Sequence, residues 1–455
     1  MFKLLRKTLA LLVKLYLIYA LAAGVLVFAL PVQEETGYQR EIDPRRFCGE
    51  GEGPDRVVLL EDPYLAALAR HDLILGAQET VDAAYYSLAR DHSAEAFFAA
   101  LLDAADRGVQ VRILLDGIRA LGSPLQAVQR ELVSHENIEL KLYEPLDLLR
   151  PWTWNNRLHD KYIIVDGSWA IIGGRNIGLR FFDPQDQDAV RDRDVLIINQ
   201  GGKQHPDSVL LQFKAYFAEQ WNHPFAKQAK AGRAGEAESS AELRAKLQAA
   251  VGERFQDEID WEALSFPTSK ITLIRNPLGR LNQEPWILME LGALLENARE
   301  RAVLQSPYFI PTAAMEKYLP ASPPDARTVI VTNHPGSPGY SNLSAMSGYL
   351  NRKNAVERFA DEIHEYFDPA KSLHAKTYVF DSRLSLVGSF NFDARSSFLS
   401  SESMAVIDSP EFARHLEEKI EGIIAGSRRA EAITPLRKVS LAIFRLVFWP
   451  FAFLL

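Results

Sequence analysis

The chain has 455 residues, 47% apolar and 24% charged, with a formal net charge of −8 and one cysteine. That length accommodates two or three domains with cores of their own, and the composition excludes large-scale disorder. A modest acidic balance without a long basic run offers nothing to a general nucleic-acid binder, and the lone Cys48 excludes an intrachain disulfide and any zinc site legible from spacing.

In chain order, Lys3, Arg6, Lys7 and Lys14 precede an uncharged apolar run from Leu15 to Val32. At helical rise this run covers about 27 Å, just enough for a hydrocarbon core of about 30 Å. Glu34 and Glu35 follow it, so the positive-inside bias makes 1–14 a cytoplasmic basic N-terminus and 15–32 a single transmembrane anchor. The run exceeds a usual signal-peptide core and no A-x-A site follows, which favours an anchor over a cleaved signal. The rest of the chain is then expected outside the cytoplasm.

After a polar spacer to about Asp55, short β-rich runs alternate with helical segments, as α/β units require. Val57–Leu60 reads as a short strand or helix lead-in, and Pro63–Ala77 as a helix. Thr80–Ser87 follows as a strand, and Ser93–Asp106 as a helix closed by Gly108. Strands are expected at Val109–Leu115, Ile138–Tyr143, Leu158–Val165, Trp169–Ile172 and Val195–Asn199, then a helix over Pro206–Trp221. From Ala226 to Glu258 the composition shifts to Ala, Lys, Glu, Gln and Arg, a solvated helical linker. The order then repeats: strands at Ile271–Ile274, Ala302–Gln305, Thr328–Thr332, Leu373–Phe380, Leu384–Val387 and Met404–Ile407, with helices over Pro285–Ala298, Leu343–Phe367 and up to Ala425. The expected division is an α/β domain at 56–225, the linker at 226–268, a second α/β domain at 269–428, and a basic, apolar tail at 429–455 lying on a membrane interface.

The repeat is sharpest in one motif. His159, Lys161, Asp166, Gly173, Gly174 and Asn176 recur 215 positions later as His374, Lys376, Asp381, Gly388, Ser389 and Asn391. One constant offset across so many positions marks a duplicated unit. On a strand, residues two apart share a face, so each copy is expected to present an imidazole beside an ammonium. A neutral imidazole is a competent nucleophile or general acid/base near pH 7, and an ammonium holds a phosphate oxygen. Asn176 and Asn391 add hydrogen bonds beyond glycine turns that allow close backbone approach. Two such faces meeting would enclose one phosphodiester, with fixed positive charge as the electrostatic stabiliser.

The doubled pattern H-x-K-x4-D-x6-G-[GS]-x-N resembles the phospholipase D superfamily. Gly173–Gly178 with Phe181 and Phe182, Ala104–Val109 and Ser306–Pro311 are similar to bacterial cardiolipin synthases, especially the C-type branch, while Asn333–Asn354 departs from that branch and leaves the acceptor open. The resemblance implies two phospholipase D-like domains, each a mixed sheet flanked by helices, in a pseudo-twofold sandwich behind an N-terminal transmembrane helix. It implies one shared active site, a covalent phosphohistidine, and no metal or other cofactor. His159 is expected as nucleophile and His374 as acid/base, an assignment the sequence leaves reversible. Lys161, Lys376, Asn176 and Asn391 match the phosphate-binding positions. Asp166 and Asp381 belong to the catalytic motif in a mainly structural role. The family also orients each histidine with a downstream carboxylate: Glu402 in the second half and, in the first, Asp192, with Asp194 an alternative. The implied activity is a phosphatidyl transfer between phospholipids such as phosphatidylglycerol, with hydrolysis to phosphatidic acid or a nuclease-type phosphodiesterase as alternatives. The implied setting is a bacterial inner membrane, with the catalytic domains on the periplasmic side and no nucleic-acid partner.

Overall fold

Strand Lys161–Val165 (KYIIV) is buried on both faces. Ile163 and Val165 enter one hydrophobic cluster, while Tyr162 and Ile164 enter another. A strand covered on both sides reads as a continuous apolar run rather than an alternating one, and this strand is central in its sheet. The computed structural model describes residues 2–27, 30–122, 125–230, 245, 258–321, 324–337 and 343–430.

The first sheet has nine strands in the order Ala226–Gln228, Ile138–Tyr143, Gln110–Asp116, Thr80–Tyr85, Lys161–Val165, Trp169–Gly173, Asp194–Asn199, Asp55–Leu60 and Phe266–Pro267. The second has eight: Lys270–Arg275, Ser403–Asp408, Leu384–Gly388, Thr377–Phe380, Arg301–Gln305, Arg327–Asn333, Glu362–Tyr366 and Ser427–Arg429. Both are mixed. The Thr80, Gln110 and Ile138 strands run parallel, as do the Arg301, Arg327 and Glu362 strands, and each motif strand is antiparallel to its neighbours.

The inner faces of the two sheets share one core, to which helices Val209–Asn222 and Pro410–Ala425 both contribute. Helices Pro63–Gly76 and His92–Asp106 cover the outer face of the first sheet, and Trp286–Asn297 that of the second. This is the expected two-domain α/β sandwich.

Several segments differ from the sequence expectation. The motif strands are not continuous. Each breaks at the motif histidine into Arg157–Leu158 and Lys161–Val165, or Ser372–Leu373 and Thr377–Phe380, because each short lead-in pairs with the opposite half. Arg157–Leu158 runs parallel to Ser400–Ser401, and Ser372–Leu373 to Val190–Arg191. The long helix expected at Leu343–Phe367 stops at Val356, and Glu362–Tyr366 is a strand whose register on Arg327–Asn333 satisfies its backbone. At the described ends of the linker, Ala226–Gln228 and Phe266–Pro267 are strands closing opposite edges of the first sheet; the linker's residues 231–244 and 246–257, and the tail from 431, lie outside the described residues.

The N-terminal helix spans Phe2–Leu26, starting before the uncharged run and ending inside it. Among the described residues it is the one helix long and apolar enough to cross a membrane. Most of its leucines face outward.

Candidate active site

The short cross-half pairings bring the two motifs to one place. His159 N donates to Ser401 O at 3.1 Å and His374 N to Arg191 O at 2.7 Å, so each histidine is set down beside a short strand of the opposite half. The carboxylates follow from this. His159 Nδ1 lies 2.8 Å from Glu402 Oε1, and His374 Nδ1 hydrogen-bonds Asp192 Oδ2 at 2.5 Å. Each histidine thus meets the carboxylate of the other half, a crossing that the one-dimensional repeat does not reveal. Asp194 is occupied elsewhere, ion-paired to Arg70 at 2.8 Å and Arg175 at 3.3 Å.

The lysines stand where the motif strands begin, with 0% of Lys161 and 1% of Lys376 exposed. Each Nζ donates to the carbonyl of its own motif histidine. Lys376 Nζ also sits 2.9 Å from Nδ1 and 3.3 Å from Nε2 of His374. Burial pushes Lys161 down to about 7 and Lys376 down to about 8, against the pull of the nearby carboxylates. Among the described residues, Asn176 Oδ1 and Asn391 Oδ1 are buried with no hydrogen-bond partner. Buried polar atoms are normally satisfied, so these two amides are poised for a bound group.

The two histidines are not equivalent. Burial, then Lys161, Lys376, Arg119 and Arg395, drives His159 well below its ordinary value. Burial and Lys376 lower His374 to about 4, and Asp192 opposes that fall. Their carboxylates differ in the opposite sense. Burial raises Glu402 to about 7, with Lys161 and the Ser389 hydroxyl acting against it. Asp192, which burial also raises, is held below the usual carboxylate range by His374 and Lys376. The His374–Asp192 contact is an aligned hydrogen bond to an anion. The His159–Glu402 contact is close but not aligned as one.

Glycines set this geometry. A Cβ on Gly174 would land on the Asp192 carboxylate, and one on Gly388 on the Ser403 carbonyl. The motif aspartates lie apart from the reacting groups. Asp166 (φ 52°) accepts from the backbone N–H groups of Gln78, Glu79 and Thr80, and Asp381 (φ 51°) from those of Arg299, Glu300 and Arg301. Each ties the far end of its motif strand to the start of the neighbouring strand.

Several contributors escaped the sequence reading. The Tyr86 ring packs edge-on to His159 at 4.7 Å, with Lys161 Nζ 5.1 Å from its centre, and its hydroxyl accepts from Arg119 Nε at 2.8 Å. The Phe181 ring packs edge-on to His374 at 5.4 Å. Buried Asp160 accepts from Ser401 Oγ at 2.6 Å, Ser403 Oγ at 2.5 Å, Gln220 Nε2 at 2.7 Å and Tyr216 OH at 3.1 Å, which bolts the first motif to the second half. A signal for it was present, since position 160 is acidic where the second copy has Ala375.

Comparison with known proteins agrees with this architecture. The family model described as "Cardiolipin synthase, PLD-like domain" matches residues 71–221 and 291–424. Cardiolipin synthase C of Escherichia coli is 29% identical over 413 residues, covering 82% of this chain and 85% of that protein. A Helicobacter pylori protein is 30% identical over 397 residues, covering 79% of this chain and 77% of its own. Among solved structures, phosphatidylserine synthase of Haemophilus influenzae superposes with a TM-score of 0.58 at 14% identity, over 86% of this chain and 93% of that one, a likeness of fold.

Proposed function

The chain belongs to the cardiolipin synthase family of phospholipase D-like enzymes, and from that premise we propose that it is a membrane-anchored phosphatidyltransferase making cardiolipin through a phosphohistidine. The observation that carries this reading is the crossed pairing of two histidines with two unlike carboxylates between two buried lysines.

The asymmetry supports one assignment of roles. His159, ringed by cations and lacking an aligned anionic partner, stays neutral and is the nucleophile. Its Nε2 attacks the phosphorus of a phosphatidylglycerol headgroup, and the phosphorus–oxygen bond to glycerol breaks. His374 is the acid. Asp192 holds its Nδ1 proton, and the arriving phosphodiester anion raises its affinity for a second proton on Nε2, which passes to the departing glycerol oxygen. Lys161, Lys376, Asn176 and Asn391 hold the phosphoryl oxygens as negative charge concentrates there. In the second half-reaction His374 takes the proton of an acceptor hydroxyl, that oxygen attacks phosphorus, and the bond to His159 breaks. The products are cardiolipin and free glycerol. With water as acceptor the same site would release phosphatidic acid.

In this reading the N-terminal helix is a single span, and the halves assigned to 56–225 and 269–428 work outside the cytoplasm. Lipid extracts of a cardiolipin-null host expressing the chain test the proposal. Cardiolipin is expected with the native sequence and absent with His159→Ala or His374→Ala. A host that still lacks cardiolipin while the protein is folded in its membrane would overturn the transfer.

A further inference from the structure

We propose that the loop Leu146–Trp154 is inserted in the bilayer beside the N-terminal helix and seats the active site on the lipid surface, its partner being the hydrocarbon of the leaflet nearest the catalytic halves. The inference rests on the membrane-anchor reading above, with the span placed on the observed helix at Lys3–Gly24, and extends it to a second segment.

Three hydrogen bonds fix the loop along the helix. Tyr16 OH donates to Leu148 O at 3.0 Å, Tyr19 OH to Leu149 O at 3.0 Å, and Asn155 Nδ2 to Gly24 O at 3.1 Å. At 1.5 Å per residue, Tyr16 and Gly24 are about 12 Å apart along the helix axis. The loop therefore climbs beside the helix, its leucines at the depth of Tyr16 and Tyr19 and Asn155 near the helix's C-terminal end. Whatever medium surrounds the helix at Tyr16 also surrounds Leu148.

The loop suits that medium. Leu146, Leu148 and Leu149 are 42%, 56% and 81% exposed, continuous with the outward leucines of the helix. Irregular backbone survives in hydrocarbon only when its polar groups are satisfied. Here the tyrosine hydroxyls take the Leu148 and Leu149 carbonyls. Trp154 Nε1 takes the Asp147 carbonyl at 2.8 Å, Thr153 Oγ1 the Arg150 carbonyl at 2.8 Å, and Leu149 N bonds Asp147 Oδ1 at 2.9 Å. Asp147 and Arg150 neutralise each other at 3.4 Å. Trp152 and Trp154 lie in the same segment, and amphipathic rings of this kind belong near a membrane boundary. From Asn155 the chain runs to His159 in four residues, at most about 14 Å of backbone, so a headgroup can enter the site while its acyl chains stay in the leaflet.

The test uses the full chain with Cys48→Ser, which removes the free exposed thiol, and Leu149→Cys carrying an environment-sensitive fluorophore, reconstituted in phosphatidylglycerol/phosphatidylethanolamine nanodiscs. A blue-shifted emission quenched by lipids spin-labelled along the acyl chain is expected. An unshifted, unquenched probe on a protein that still turns over would overturn the loop and leave the transferase reading standing. Conversely, a buried probe on a protein making no product from any phosphatidyl donor sinks the transferase reading alone. In the unlabelled chain, Leu148→Ser with Leu149→Ser should lower turnover of bilayer phosphatidylglycerol about tenfold, the effect of about 1.4 kcal/mol, yet leave a monomeric short-chain donor unaffected. Equal loss on both donors refutes the seating role.

Discussion

Asp192→Asn isolates the crossed carboxylate. The substitution keeps size and one acceptor oxygen but removes the anion that bonds His374 Nδ1 at 2.5 Å. Hydrogen bonds to charged groups contribute about 1.5–3 kcal/mol, and each 1.36 kcal/mol of lost transition-state stabilisation is a factor of ten. On those figures kcat should fall about 10- to 150-fold, while KM changes little because the proposed phosphate-binding groups, Asn176, Asn391 and the lysines, are untouched. Glu402→Gln should cost distinctly less, since Glu402 is already held at about 7 and its contact with His159 is unaligned. The assay is steady-state transfer from phosphatidylglycerol in nanodiscs, with rapid-quench measurement of the phosphohistidine. On the proposed roles, Asp192→Asn impairs protonation of the leaving glycerol, so formation of the intermediate should slow. If Glu402→Gln loses more than Asp192→Asn, or Asp192→Asn keeps wild-type kcat, the role assignment fails.

Other expectations follow from the same geometry. Gly174→Ala places a methyl on the Asp192 carboxylate and should reproduce most of the Asp192→Asn loss in kcat with the carboxylate still present, checked by the same assay. Because Lys161 and Lys376 are held at about 7 and about 8 by burial, they lose their protons as pH rises through that window, and kcat/KM should fall. Stability should move the other way. The unfolded chain keeps both lysines protonated up to their ordinary value near 10.5, so between about pH 7 and 10 it binds more protons than the native state, and ΔG of unfolding should rise with pH; opposite slopes in chemical denaturation and activity check this. Lys161→Met removes the ammonium that bonds the His159 carbonyl and faces Glu402 and should abolish transfer, checked by the same assay. Asp166→Ala strips acceptors from three backbone N–H groups and should cost about 2–3 kcal/mol while leaving kcat per folded molecule essentially unchanged.

The duplicated motif was legible because it is local. Fixed spacing from His159 to Asn176 and from His374 to Asn391 records a strand, a turn and a strand, which the chain writes in order. Apolar runs such as KYIIV and the cap at Gly108 exposed their elements for the same reason. What the sequence hid is what two distant segments do together. Reading His159 and Lys161 as strand neighbours on one face missed the break between them, because the pairing that causes it involves Ser400 and Ser401. Likewise Glu402 reads as a partner for the histidine of its own half, and only the sandwich shows it beside His159. Glu362–Tyr366 (EIHEY) carries too little apolar pattern to oppose the helix that precedes it, and its strand identity comes from the parallel neighbour Arg327–Asn333.

The crossing of the two tips also makes the reaction conditional on assembly. Either half folded alone would present a histidine without its carboxylate and, in the first half, Asp160 without the serines that hold it. Until both sheets have closed on their common core, a nascent chain therefore has neither motif histidine beside its carboxylate. The same arrangement lets a change in one half tune the imidazole of the other, so two copies of one motif can come to hold their histidines in unlike surroundings without either motif changing.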